Sequence, residues 1–99
     1  MKLAIQSIHF DADSRLKNFI QKKVDKLETF YDGIIDSEVF LRVERIPEKE
    51  NKSVEIKVKV SQSLLFSKEQ AKTFEEATDM AVEALRKQIT RYKQKRING

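Results

Sequence analysis

The chain is 99 residues long, 39% hydrophobic and 36% charged, with 20 Lys/Arg, 16 Asp/Glu and a net charge of +4. That length holds one domain around a single two-layer core, and the absence of Cys excludes disulfides, thiolate nucleophiles and Cys-based zinc sites. Apolar runs such as Leu64-Leu65-Phe66 are too short for a signal-peptide core or a membrane span, so the composition points to a soluble cytoplasmic protein with no membrane partner.

In chain order, Met1–Phe10 begins by alternating, with Leu3 and Ile5 on one face, then slips phase to Ile8 and Phe10; it reads as a strand with a bulge near Gln6-Ser7. Asp13 is a good helix N-cap, and Leu16, Phe19, Ile20, Val24, Leu27 and Phe30/Tyr31 recur at helical spacing. With Gly33 as a stop signal, this predicts a helix over roughly 14–31. From Ser37 the period becomes two. Val39, Leu41 and Val43 share one face, and Phe40, Arg42 and Glu44 share the other, until Ile46-Pro47 ends the strand. After a polar connection, Val54, Ile56, Val58 and Val60 alternate with Glu55, Lys57 and Lys59. A weaker strand falls within Leu64–Lys72, where Leu64-Leu65-Phe66 leaves the register open.

Thr73-Phe74-Glu75-Glu76 has the form of a capping box. It starts a second helix whose apolar stripe is Phe74, Ala77, Ala81, Leu85, Ile89 and Tyr92; the helix is expected to run to about Lys95, with residues 96–99 frayed. The expected fold is α+β, a two-layer sandwich of β-α-β-β-β-α order, in which two helices pack on one face of a four-stranded sheet.

Charge is distributed unevenly. Residues 1–83 sum to −2, whereas Arg86, Lys87, Arg91, Lys93, Lys95 and Arg96 follow with no acid among them. Cations near a helix C-terminus complement the helix dipole, which explains a gradient but not this excess. Lys87, Arg91 and Lys95 stand at i, i+4 and i+8, and each like-charge pair costs about 0.2–0.5 kcal/mol in an isolated helix. Such a row suits an external polyanion, nucleic acid first and anionic membrane second. Lys22 and Lys26 form a second i, i+4 pair with Lys23 beside them, and side-by-side helices would join both edges into one patch. Arg42 and Arg45 add guanidinium groups able to grip phosphate in a bidentate way. Tyr92 lies on the apolar stripe and reads as a core-edge residue, while Phe40 points away from the Val39/Leu41 face.

Catalysis has little to work with. His9 is the single histidine and reads as structural, no histidine cluster offers a metal site, and two glycines cannot make a phosphate-cradling loop. The expectation is a non-enzyme with no cofactor, no metal and no small-molecule substrate.

Particular residues carry a family resemblance. Lys23–Glu28 (KVDKLE), Phe30-Tyr31-Asp32, Val39–Arg45 (VFLRVER) and Phe74–Lys95 together resemble the ribosome hibernation promoting factor and ribosome-associated inhibitor family. Most telling is Leu85-x-x-Gln88-Ile89-x-Arg91-x-Lys93-x-Lys95, preceded by Ala77-x-Asp79; Ala84 stands where that family commonly has a lysine. The resemblance covers essentially the whole chain and implies the same element order. It implies binding to the rRNA of the small ribosomal subunit near the decoding region, overlap with mRNA and tRNA, and translational silence under stress or in stationary phase. The family's RNA-facing positions map onto Lys23, Lys26, Arg42, Arg45, Arg86, Lys87, Arg91, Lys93 and Lys95, and the residue pattern itself adds Lys22. The length resembles the family's short form, which would silence ribosomes singly or pair them only with a helper protein. Two other readings stay open: a general double-stranded-RNA binder and a protein-interaction regulatory module.

Overall fold

The computed structural model describes residues 2–44 and 51–98, with the side chains of 96–98 excepted. The elements run β1 (Lys2–Ser7), α1 (Ser14–Asp25), a 3-10 turn (Lys26–Thr29), β2 (Asp36–Val43), β3 (Lys52–Val60), β4 (Ser63–Ala71) and α2 (Phe74–Asn98). The expected β-α-β-β-β-α order holds. The sheet order is β1-β2-β3-β4, with β1 parallel to β2 and the remaining neighbours antiparallel. A parallel pair needs a crossover, and α1 supplies it.

Alternation decides which side of the sheet is buried. In β2 and β3 the inward residues Val39, Leu41, Val54, Ile56 and Val58 are fully buried. They meet Ile20 and Val24 of α1, Leu27 of the 3-10 turn, and Ala77, Ala81, Leu85 and Ile89 of α2. Truncating a residue such as Leu85 to Ala costs about 2–5 kcal/mol. Both helices therefore lie on one face, and they run in the same direction. Phe10 stacks on Phe74, Lys23 reaches Asp79, and Tyr31 packs edge-on to Tyr92, each pair further along both segments.

The capping signals act as the sequence indicates. Asp13 Oδ1 accepts from the Leu16 amide at 2.8 Å, and Thr73 Oγ1 accepts from the Glu76 amide at 3.1 Å. Several boundaries differ from expectation. The phase slip after Ile5 is not a bulge within a longer strand: β1 ends at Ser7 and His9 turns the chain with φ 65°, in the left-handed region. The first helix becomes a 3-10 turn at Lys26, short of the expected end. Gly33 does not take a positive φ; a Cβ there would collide with the Tyr31 ring, so glycine serves a close approach. In β4, Leu65 points inward, while Leu64 and Phe66 emerge on the open face. The α2 backbone stays helical through Asn98, beyond the expected Lys95. The Ile46-Pro47 strand end lies outside the described residues.

Candidate nucleic-acid interface

The α2 helix has two exposed flanks, and contacts identify each. On the flank facing α1, the Arg86 guanidinium sits 5.9 Å from the centre of the Phe30 ring and Lys93 Nζ donates to the Phe30 carbonyl at 2.6 Å. Lys23 of α1 pairs with Asp79 at 3.1 Å and lies over Phe19. On the flank facing β4, Gln88 closes the sheet edge: its Oε1 accepts from the Phe66 amide at 3.2 Å, and its Nε2 donates to the Phe66 carbonyl at 2.7 Å. A strand edge that would otherwise present open backbone groups is thereby covered at that point.

Beside Gln88 stand Lys87, Arg91 and Lys95, all exposed and without an ion pair among the described residues. Arg91 and Lys95 border a groove with Ser61, Gln62 and Ser63 of the β3–β4 turn. Tyr92 lies between the flanks. It is half-buried, packs against Tyr31 and donates its hydroxyl hydrogen to the Ser61 carbonyl at 2.5 Å, which makes it a core-edge residue as its stripe position suggests. Because Tyr92 meets the turn at the end of β3, the last turns of α2 project past the sheet; the molecule measures 46 × 25 × 18 Å.

Nine of the ten cations singled out from the sequence fall into four groups. Lys22 and Lys26 are exposed on α1 with no ion pair among the described residues. Lys23, Arg86 and Lys93 gather at the seam between the helices. Lys87, Arg91 and Lys95 occupy the far flank of α2, across its exposed crest of Glu83, Thr90 and Gln94. Arg42 belongs to the opposite face of the sheet, paired with Glu55 at 3.2 Å and stacked on Phe40. Its neighbour Leu41 is buried in the core, so strand alternation sends Arg42 the other way. Arg45 lies outside the described residues. The helix edges thus supply two cationic bands instead of one continuous strip, and Arg42 joins neither.

Electrostatics separate the bands further. Arg86 makes a two-pronged contact with Glu83, Nε to Oε2 at 3.1 Å and a second nitrogen to Oε1 at 2.6 Å. The Arg86 hydrogen bond, aided by the charges of Arg86 and Lys87, holds the Glu83 carboxyl below the ordinary glutamate value of 4.5. The same bond raises the already high pKa of Arg86. The seam therefore uses part of its charge internally, whereas the Lys87–Arg91–Lys95 row makes no ion pair among the described residues and gives only the through-space attraction of Lys87 to Glu83.

The Phe30/Tyr31 alternative of the first apolar stripe resolves to Tyr31: Phe30 is 40% exposed, while Tyr31 turns inward. Two adjacent aromatics in a helix or 3-10 turn cannot both face one core. The open sheet face carries a smaller aromatic cluster, with Phe40 between Arg42 and Lys57.

The chain is an α+β sandwich with parallel helices on one face and a cationic helix flank that makes no ion pair among the described residues. The chain belongs to the family described as sigma 54 modulation protein / S30EA ribosomal protein, whose model matches residues 3–97. It is 27% identical over 95 residues to a ribosome hibernation promotion factor of Bacillus subtilis, covering 96% of this chain and 50% of that protein. It is 24% identical over 97 residues to a ribosome hibernation promoting factor of Azotobacter vinelandii, covering 98% and 87%. The chain thus spans half of the Bacillus relative and most of the Azotobacter one. The fold matches the N-terminal domain of Thermus thermophilus Protein Y, with a TM-score of 0.81, 22% identity and coverage of 93% and 99%. It also matches a ribosomal subunit interface protein from Coxiella burnetii, with a TM-score of 0.83, 19% identity and coverage of 95% and 99%.

Proposed function

We propose that this protein is a ribosome hibernation factor. It acts without catalysis, in the cytoplasm, by docking its cationic helices on the rRNA of the small ribosomal subunit near the decoding region. There it occupies the space of mRNA and tRNA and holds translation silent. Family membership and the relatives named for ribosome hibernation support the ribosome as partner. The observation that carries the reading in this chain is the Lys87–Arg91–Lys95 row, exposed, mutually repelling and without an ion pair among the described residues. A structural use for three cations would supply them with carboxylates; a phosphate-binding use leaves them open.

Binding by phosphate neutralisation fixes a signature. If the five unpaired cations of α1 and α2 each meet a phosphate, log affinity falls against log salt with a slope of roughly −3.5 to −4.5. The test is co-sedimentation of the protein with purified small subunits across a salt series, beside the Lys87→Glu/Arg91→Glu variant. Wild type should pellet with subunits at low salt, and the variant should remain in the supernatant with an unchanged melting temperature. Equal sedimentation of the two proteins removes the site assignment. Equally tight binding of naked duplex RNA by the wild type identifies a general duplex binder instead.

A further inference from the structure

We infer that Phe30 is the floor of a site for one unpaired RNA base, at the seam between the 3-10 turn and α2. The inference rests on the ribosome-binding reading and adds to it a non-ionic contact. Phe30 closes the 3-10 turn with 40% of its surface exposed, while its neighbour Tyr31 takes the inward side. The surrounding groups hold it there. The Lys93 ammonium grips its backbone carbonyl at 2.6 Å, the Arg86 guanidinium stands 5.9 Å from its ring centre, and the two-pronged Glu83 contact fixes that guanidinium in place.

The result is a run of contacts from carboxylate to guanidinium to ring, and the ring borders a cleft lined also by Thr29, Thr90, Lys93 and Gln94. These groups suit a flipped-out nucleotide. The ring and the guanidinium plane are surfaces on which a base can stack. Thr29, Thr90 and Gln94 offer hydroxyl and amide groups to its edge. The cations Lys93 and Arg86 favour the attached phosphate. An apolar peptide side chain would fit the ring but would leave this polar and cationic rim without a purpose. Unpaired bases are also what proteins read in structured RNA, because duplex grooves hide the base edges.

The experiment measures affinity for purified small subunits with wild type, Phe30→Trp, Phe30→Leu and Phe30→Ala, confirming the fold of each by its melting curve. Stacking predicts that Trp matches or exceeds Phe, while Leu and Ala both lose roughly five- to a hundred-fold. The salt slope should be unchanged, because no phosphate contact is removed. Since the chain contains no other Trp, the Phe30→Trp protein also reports directly: a stacked base quenches its fluorescence on binding. A Leu variant that binds like wild type, or a Trp whose emission does not fall in the complex, overturns the inference and marks Phe30 as a plain apolar contact. In that outcome wild-type binding and its loss in Lys87→Glu/Arg91→Glu still stand. If wild type itself fails to bind subunits, the parent reading falls and takes this one with it.

Discussion

The two flanks of α2 carry the same residue types in opposite circumstances. Facing α1, Arg86 is clamped by Glu83, Lys93 by a backbone carbonyl, and the incoming Lys23 by Asp79. Facing β4, Lys87, Arg91 and Lys95 have no such partners among the described residues, and the uncharged Gln88 makes the tertiary contact. Cations on the first flank set the distance between helices and the pose of Phe30. Those on the second make no ion pair among the described residues. Counting basic residues does not distinguish these roles; the placement of acids and carbonyls around them does.

Charge reversal is the strongest way to break that contrast. At about 1.5 kcal/mol or more per charge-assisted contact, Lys87→Glu/Arg91→Glu should weaken subunit binding about 100-fold or more. It should also flatten the salt slope by about 2. Lys23→Gln removes a surface ion pair worth about 1 kcal/mol or less, and should shift both stability and binding only slightly. Comparable binding losses in the two variants, measured by titration against subunits, would erase the distinction between flanks.

Gly33→Ala attacks the clamped flank through its geometry. The new methyl meets the Tyr31 ring, which must leave its edge-on packing against Tyr92. Overpacking of this kind costs about 1–3 kcal/mol, read as a drop in the urea midpoint. A midpoint equal to wild type would show that Tyr31 is free to move and that the flank is not held there.

The free flank has one structural duty, and Gln88 performs it. Gln88→Leu removes both hydrogen bonds to the Phe66 backbone and should cost about 1 kcal/mol, because water replaces them at an exposed edge. The uncovered edge should then favour self-association, visible by sedimentation velocity at high protein concentration. A variant of unchanged stability that stays monomeric would reduce Gln88 to a spectator.

Much of this arrangement was legible in the sequence. The element order, the capping residues Asp13 and Thr73, and the alternation of β2 and β3 follow from local chemistry that the chain states directly. What escaped depends on tertiary partners. The Leu64-Leu65-Phe66 run does not alternate because two of its apolar side chains emerge on the open face, uncovered by either helix. Gly33 looked like a helix stop and is a clearance for Tyr31. The basic edges looked like one patch, but the crest of α2 stands between them, and Arg42 was sent to the far face by its own strand. Periodicity places a residue on a face; which neighbours share that face is decided by packing.

The finest distinction between the flanks is titratable. The clamp on the α1-facing flank depends on a carboxylate held below its ordinary pKa, that of Glu83, chiefly by its hydrogen bond to Arg86. A depressed folded-state pKa means that the contribution of the Glu83–Arg86 contact is complete above the ordinary glutamate value and disappears as pH falls through the lower, folded one. At neutral pH the clamp is fully formed; acid releases Arg86 from Glu83 and loosens its position over Phe30. The Arg86 side-chain N–H resonance should therefore move only as pH falls below the ordinary glutamate value, and Glu83→Gln should abolish that movement. A titration that persists in Glu83→Gln would assign the acid response to another carboxylate, and the rigid pose of Arg86 would then need a different origin.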